Sequence, residues 1–201
     1  MQLLANNVKI ISREQTAVVA VIGTASTGLG EFDQPISVAV VTLEVTLLKG
    51  NKVREISCFH ESTEPTVPIH PAAFAVHGLT LEMLRGKRLN AQKLWDTLRP
   101  ANVLVAHNAK FHRQLLAQFC PGIGLSTWSC SMWGSDYWRG NSLDSLCMEF
   151  SVSRPLPHNA LANAMALSEV LFKRSGKTDK SSTFMGGLLR NPWAPDFLSQ
   201  K

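Results

Sequence analysis

The clearest pattern along the chain is a series of short apolar runs separated by glycine-rich or polar turns. Residues 17–22 are apolar at every position, which is typical of a strand buried on both faces. Residues 36–48 and 53–60 are rich in side chains that favour strands, and a polar turn at 49–52 separates them. Because these connections are too short for a crossover helix, the sequence predicts an antiparallel meander of three strands.

Helical periodicity is the main pattern in the rest of the chain. Thr80 is expected to begin a short helix as its N-cap, with Glu82 near the positive helix end. An apolar run predicts a central strand at 102–107, and a second short strand is expected within 125–133. The longer predicted helices are 90–99, 109–120, 142–150 and 158–174. In the last of these, the predicted buried stripe is Leu161, Met165, Ser168, Leu171 and Phe172.

This order of elements indicates an α/β fold with a mixed five-stranded sheet flanked by helices. At 201 residues the chain is expected to form one domain, spanning residues 1–175 with a short N-terminal lead. After Gly176 the composition shifts to Ser, Gly, Lys and Pro around isolated apolar residues such as Trp193 and Phe197. Residues 176–201 are therefore predicted to be a tail that is either docked or mobile.

One predicted strand-to-helix junction carries polar side chains. The apolar strand at 102–107 ends at His107 and Asn108, and His112 follows within the next helix. Open α/β sheets keep their clefts at the carboxyl ends of strands. These three side chains are therefore expected at the edge of a cleft.

Composition narrows the class of protein. A hydrophobic content of 45% with 17% charged residues argues against global disorder. No apolar run approaches the ~20 residues that span a bilayer, so no membrane partner is expected. Residues 1–15 lack the apolar core of a secretory signal, which favours a cytoplasmic location. The net charge of +5 is compatible with a polyanionic partner but too common to identify one.

The four cysteines are scattered and form no CxxC pair, so they indicate neither a zinc site nor a disulfide framework. They are expected to be buried free thiols in a reducing compartment.

Several segments together resemble the DEDDh 3′–5′ exonucleases, a family that includes the ε subunit of bacterial replicase, ribonuclease T and exonuclease X. The first family motif, Asp-x-Glu-x-Thr-Gly-Leu, is similar to residues 23–29. The second, Ala-His-Asn-Ala-x-Phe-Asp, resembles 106–112, and the third, His-x-Ala-x-x-Asp-Ala, resembles 158–164. The resemblance covers about residues 17–172 and implies a ribonuclease H-like fold.

The family's four acidic positions correspond here to Gly23, Ala25, His112 and Asn163. In the family, carboxylates at these positions bind two divalent ions that clamp the attacking water and the leaving oxygen. Gly and Ala offer no side-chain ligand, Asn is neutral, and His is a softer donor than Mg²⁺ prefers. The resemblance therefore implies a pseudo-exonuclease without the family's two metals and without a cofactor. His158 matches the family's general base and is the one catalytic position that remains.

Without the carboxylates, the cleft is expected to be neutral or weakly positive and able to hold an anion without metal. The leading hypothesis is therefore metal-independent binding of single-stranded nucleic-acid ends, with bases stacking on loop aromatics. The candidate binding residues are Thr27, His107, Asn108, Lys110, His112, Arg113, Trp138, Arg139 and His158.

Other interpretations stay open at this point. One alternative is a protein-interaction adaptor, inhibitor or regulator built on this fold, and another is a structural role for His107. Residual exonuclease activity would need His158 with displaced acids, for which Glu31, Asp33 and Glu44 are the candidates. A zinc site built from the three cleft histidines is a further alternative. A homodimer is expected only by analogy with the family.

Overall fold

A mixed five-stranded sheet forms the centre of the protein in the computed structural model, which describes residues 15–134, 138–154, 159–174 and 182–190. The spatial order is β3-β2-β1-β4-β5, with β1–β2 and β2–β3 antiparallel and β1–β4 and β4–β5 parallel. The strands are β1 (Thr16–Ser26), β2 (Pro35–Thr46), β3 (Lys52–Ser62), β4 (Val103–Ala106) and β5 (Trp128–Cys130). The predicted mixed sheet and its N-terminal meander are confirmed.

The predicted helices occur in the predicted order within the described ranges, and α1, α7 and a 3-10 helix are additional. Thr80 accepts a hydrogen bond from the Met83 amide and caps α2, as expected, and Ser142 and Asn159 cap α5 and α6. The α-helices are α1 (Pro71–His77), α2 (Leu81–Leu84), α3 (Ala91–Leu98), α4 (Ala109–Ala117), α5 (Leu143–Glu149), α6 (Ala160–Leu171) and α7 (Phe184–Arg190), and a 3-10 helix spans Pro121–Leu125.

Both faces of the central strands are covered by helices. In β1, Val19 and Val21 pack in one hydrophobic cluster with residues of α5, α6 and α7. Ala20 and Ile22 point to the other face and pack with residues of α3 and α4. This alternation explains why the 17–22 run is apolar at every position.

The predicted buried stripe of α6 is wrong in part. Met165 is exposed, whereas Ala160, Ala164 and Leu167 are buried against the sheet. Close to Gly23 the backbone of α6 approaches β1 tightly, and the helix residues at this contact are Ala160 and Ala164. Hydrophobicity alone cannot reveal that distance, because it ranks Met above Ala whatever the space available.

Part of the predicted tail is an ordered helix. In α7, Phe184 packs against Trp138 with ring centroids 4.2 Å apart. The Thr183 hydroxyl donates to the Lys49 carbonyl over 2.9 Å and so ties this segment to the β2–β3 turn. Trp193 and Phe197 lie outside the described residues, and the domain boundary near residue 175 stays a prediction.

All four cysteines are free. Three are buried, as expected, but Cys58 is exposed because it lies on β3, the edge strand, most of whose side chains face solvent. Among the described residues, no helix has the length and apolar character required to cross a membrane.

Candidate functional site

A cleft lies at the carboxyl end of β1, where the β1–β2 loop, α1, α4 and α6 meet. It consists of two cavities that share Asn163. The outer cavity, of about 520 Å³, is lined by the end of β1, the β1–β2 loop, α1, Phe111 and Asn163. The inner cavity, of about 240 Å³, is lined by Gly23, His107, His112, Arg154 and Asn163 among others. The predicted junction thus lies at the cleft, as its position at a strand end indicates.

Gly23 is pressed against the backbone of α6. A Cβ atom at this position would lie 2.2 Å from the Ala160 carbonyl oxygen and 3.0 Å from the Ala164 amide nitrogen. Both neighbours are helix backbone, so neither can move without shifting α6. The strand therefore has no room for a carboxylate side chain at position 23. Ala25, two residues further along β1, is buried in a small cluster with Ile36 and Leu84.

His112 joins β1 to the junction between β4 and α4. Its Nε2 lies 3.0 Å from the His107 carbonyl oxygen, which can only accept, so Nε2 carries the proton. In the neutral ring Nδ1 must then accept, and the Thr24 hydroxyl donates to it over 2.9 Å. Burial lowers the pKa of His112 to about 4. The ring is therefore neutral at pH 7, and both of its nitrogens are engaged, so the structure corrects the suggestion that His112 binds an anion.

His107 is held in the same way. Its Nε2 donates to the Asn141 carbonyl over 2.8 Å, and Nδ1 lies 2.9 Å from the Ser131 hydroxyl. Burial lowers the pKa of His107 below its ordinary value, against a smaller opposing effect of the Asn141 hydrogen bond. Asn108, the next residue, adopts a left-handed conformation (φ 70°, ψ 60°) where the strand turns into α4. These contacts support a structural role for His107.

Arg154 is the residue of the inner cavity that sequence reasoning missed. Its Nη1 donates to the Asn163 side-chain oxygen over 3.0 Å, and its Nη2 forms an ion pair with Asp144. Only 6% of the Arg154 side chain is exposed, and this burial lowers its pKa. A single arginine in an irregular segment has no periodicity or spacing that marks it as part of a site. Its approach to Asn163, nine positions away, follows from the packing of α6.

The described residues of the inner cavity do not fit a pair of divalent metal ions. They include no group of three His, Cys, Asp or Glu side chains placed to hold a metal. The Asn163 oxygen already accepts from Arg154, and the guanidinium would repel a metal cation in the same cavity. His158 lies outside the described residues, so the suggested three-histidine zinc site stays a prediction.

The β1–β2 loop is shaped by Asp33. Its carboxylate accepts from the Thr27 hydroxyl over 2.7 Å and from the Gly30 amide over 2.6 Å. A Cβ on Gly28 would lie 2.5 Å from this carboxylate, so glycine allows the loop to close over it. Thr27, a predicted binding residue, is fully buried beneath the loop and supports the turn.

The other two acids considered as displaced ligands are placed differently. Glu44 accepts hydrogen bonds from Thr16 and Arg54 at the opposite end of β1, and these bonds lower its pKa. Glu31 lies exposed in the β1–β2 loop. Neither Glu44 nor Glu31 lines the two cavities.

Apolar side chains surround the opening of the outer cavity. Leu29 of the β1–β2 loop is 86% exposed and Val76 of α1 is also exposed, and both line this cavity, whereas Phe32 is 85% exposed in the same loop but is not one of the lining residues. His77 fixes α1 to β1, because its Nε2 donates to the Ser26 carbonyl over 3.1 Å while its Nδ1 accepts from the Leu79 amide. The opening thus has exposed apolar groups, and α1 on one side of it is tied to β1.

Comparisons with known proteins agree with this fold. No family model matches the chain. DNA polymerase III subunit epsilon of Pasteurella multocida is 29% identical over 177 residues, which cover 78% of this chain and 67% of that protein. The Escherichia coli subunit is 28% identical over 192 residues, which cover 83% of this chain and 75% of that protein. These similarities support the resemblance to the DnaQ-like exonuclease family.

Solved structures of DnaQ-like exonucleases share the fold. Exonuclease X in complex with 5′ overhanging duplex DNA superimposes with a TM-score of 0.56 at 23% identity, over 84% of this chain and 99% of that one. Exonuclease I of E. coli in complex with a dA16 oligonucleotide gives a TM-score of 0.61 at 13% identity, over 80% of this chain and 42% of that one.

The remaining predicted binding residues are dispersed. Lys110 and Arg139 are exposed, whereas Arg113 donates to the Gly124 carbonyl over 3.0 Å and so is directed towards the 3-10 helix. Trp138 is 0% exposed and packs against Phe184, which corrects the expectation of an exposed stacking platform. Phe32 is instead an exposed aromatic residue in the β1–β2 loop, next to Asp33, which lines the outer cavity, and its loop position has no distinctive sequence pattern.

Proposed function

We propose that this protein binds single-stranded nucleic-acid ends in the cleft without metal and does not hydrolyse them. The observation that carries the proposal is the composition of the inner cavity. A paired guanidinium and two neutral imidazoles line the cavity that also contains Gly23 and Asn163, and α6 closes the space beside Gly23. In this interpretation all four acidic positions of the family are substituted, by Gly23, Ala25, His112 and Asn163.

Loss of hydrolysis follows from the chemistry of the substituted positions. Phosphodiester cleavage in the family depends on metal ions that activate water and neutralise the leaving oxygen. A positioned imidazole such as that of His158 contributes only about 10²–10⁴-fold, far less than the uncatalysed barrier demands. Binding has no such requirement, because a cation and an apolar cleft suffice for a phosphate and its bases.

Binding is expected to be independent of divalent ions and sensitive to salt. A 5′-fluorescein-labelled single-stranded oligonucleotide should bind with the same affinity in EDTA and in Mg²⁺, as measured by fluorescence anisotropy. Raising the salt from 50 to 200 mM should weaken binding about tenfold, as expected for two or so phosphate contacts. The oligonucleotide should keep its length after incubation with Mg²⁺ or Mn²⁺.

Two results would contradict this proposal. The absence of binding at low salt would exclude the nucleic-acid function, since electrostatic attraction is strongest there. Shortening of the oligonucleotide that His158→Ala abolishes would instead demonstrate residual exonuclease activity.

A second candidate function is docking of a protein partner, as an adaptor, inhibitor or regulator. The exposed side chains of Leu29 and Phe32 favour it, because adjoining exposed apolar groups often mark interaction sites. The homodimer and the cytoplasmic location also remain proposals. Light scattering of the purified protein would test the dimer.

Phe32→Ala distinguishes the two functions. If Phe32 stacks on a base, its loss should weaken oligonucleotide binding by about 5-fold or more, as typical stacking energies indicate. Leu125→Ala is the matched control, because Leu125 is also exposed but lies in the 3-10 helix rather than in the β1–β2 loop, which lines the outer cavity. Unchanged oligonucleotide affinity, together with loss of a partner that co-purifies with the parent protein, would favour the docking function.

A further inference from the structure

We propose that the Arg154 guanidinium binds a terminal phosphate of a nucleic-acid strand. In the structure the Asp144 carboxylate occupies the place of this phosphate, and the phosphate displaces it on binding. This inference deepens the proposed function, on which it rests for the identity of the ligand. It adds a specific anchoring group and a preference for strands that end in a phosphate.

The burial of Arg154 requires that its charge be balanced. With only 6% of the side chain exposed, the guanidinium has lost most of its hydration. A buried charge of this kind is tolerated only when an opposite charge and hydrogen-bond acceptors compensate it. Asn163 supplies a neutral acceptor and Asp144 supplies the negative charge.

Asp144 can leave the ion pair at a lower free-energy cost than Arg154 can. Its side chain is 49% exposed, so it can turn towards water and keep most of its hydration. It also lies in the first turn of α5, where a carboxylate remains favourable near the positive helix end. A phosphate that takes its place would preserve the charge balance of the guanidinium and can accept two parallel hydrogen bonds from it.

The inner cavity has no other anion to compete for this position. Among its described lining residues, Asp144 is the only acidic side chain and Arg154 the only permanently charged cation. His107 and His112 are neutral at pH 7, and each directs its Nε2 proton to a backbone carbonyl. The negative potential of a carboxylate cluster, which would repel phosphate, is therefore missing from the described part of this site.

Asn163 connects the phosphate position to the outer cavity, because it lines both cavities. A strand whose last base lies in the apolar outer cavity would bring its terminal phosphate to the inner one. Since only a chain end can place a doubly charged phosphate monoester there, the geometry favours ends that carry a phosphate over ends that carry a hydroxyl.

The test compares two labelled oligonucleotides of one sequence, ending in a 3′-phosphate or a 3′-hydroxyl, with inorganic phosphate as a third ligand. The parent protein should bind the 3′-phosphate form several-fold more tightly in EDTA. Asp144→Asn should strengthen binding of that form about tenfold and of the hydroxyl form much less. Arg154→Gln should remove the preference, and Arg154→Lys, which keeps the charge without the planar fork, should retain part of it.

Controls separate the site from general charge effects and from misfolding. Asp96→Asn removes the same charge from α3, outside both cavities, and should leave the preference unchanged. Circular dichroism melting checks each variant. If Arg154→Gln does not fold, the gain of binding in Asp144→Asn still decides the question, because unfolding cannot strengthen binding of one strand end selectively.

The outcomes are distinct. Equal affinity for the two oligonucleotides in both the parent and Asp144→Asn would overturn the inference and leave the proposed function standing. Failure of both oligonucleotides to bind would overturn the proposed function. Calorimetric binding of inorganic phosphate to Asp144→Asn and not to Arg154→Gln would in that case still support the anion site, with a free phosphate as its ligand.

Discussion

Replacement of Gly23 by aspartate is expected to destabilise the fold rather than create a metal ligand. The added Cβ alone would lie 2.2 Å from the Ala160 carbonyl oxygen, and the carboxylate would face a space closed by α6. Overpacking of a well-packed core costs about 1–3 kcal/mol, and burial of an extra charged group adds to this. The free energy of unfolding in urea should therefore fall by at least about 3 kcal/mol.

Two alanine variants, Gly23→Ala and Gly187→Ala, distinguish the effect of added side-chain volume from the effect of added charge. Gly23→Ala adds only the methyl group and should by itself cost about 1–3 kcal/mol. Gly187→Ala is the control, because a Cβ there meets no atom within 4 Å and α7 favours alanine. The account of the site would be contradicted if Gly23→Asp kept the parent stability and bound Mg²⁺ in calorimetry, because α6 would then have moved to make room for the carboxylate.

Folding stability is expected to decrease on acidification from pH 6.5 towards pH 4 because of His112. Its pKa is lowered from 6.5 to about 4 in the folded protein. Between these values the unfolded chain binds a proton that the folded protein does not, so acid favours unfolding. The contribution of the neutral ring to the free energy of unfolding is fully present above pH 6.5. It is lost as the pH falls to 4, which lowers the free energy of unfolding by roughly 3 kcal/mol at most.

Urea unfolding at several pH values, with a His112→Gln variant, measures this effect. The variant should lose stability at pH 7, because the Thr24 hydroxyl and the His107 carbonyl lose their shared partner. Its stability should also depend less steeply on pH between 6.5 and 4. His70→Gln, at the exposed N-cap residue of α1, is the control for removal of an imidazole from the surface. An equal slope in the parent and the His112 variant would contradict the burial of a neutral ring.

A neutral His112 changes the interpretation of the cleft. The histidines seemed at first to be the source of positive charge left by the missing acids. Burial keeps both cleft rings neutral at pH 7 despite their hydrogen bonds to backbone carbonyls, and those bonds hold β1, β4 and α4 in place. The positive charge of the inner cavity instead comes from Arg154, which sequence reasoning did not select.

Local sequence determined the elements and their order. Neighbouring residues specify the β-branched runs of β1 and β2, the Thr80 cap and the strand-to-helix junction at His107. These patterns can therefore be recognised without the fold. The sequence also shows directly that position 23 is a glycine without a side chain, and this supports the expectation that metal ligands are absent.

Only the tertiary structure decided what surrounds those positions. Three contacts are between segments that are distant in sequence or lack periodicity. They are the approach of the Ala160 carbonyl to Gly23, the packing of Trp138 against α7, and the pairing of Arg154 with Asn163 and Asp144. Such contacts depend on how closely one element packs on another, which hydrophobic periodicity does not encode. The sequence thus indicated a nuclease-like cleft without its acids, and the contact of Arg154 with Asn163 of α6 placed a guanidinium there.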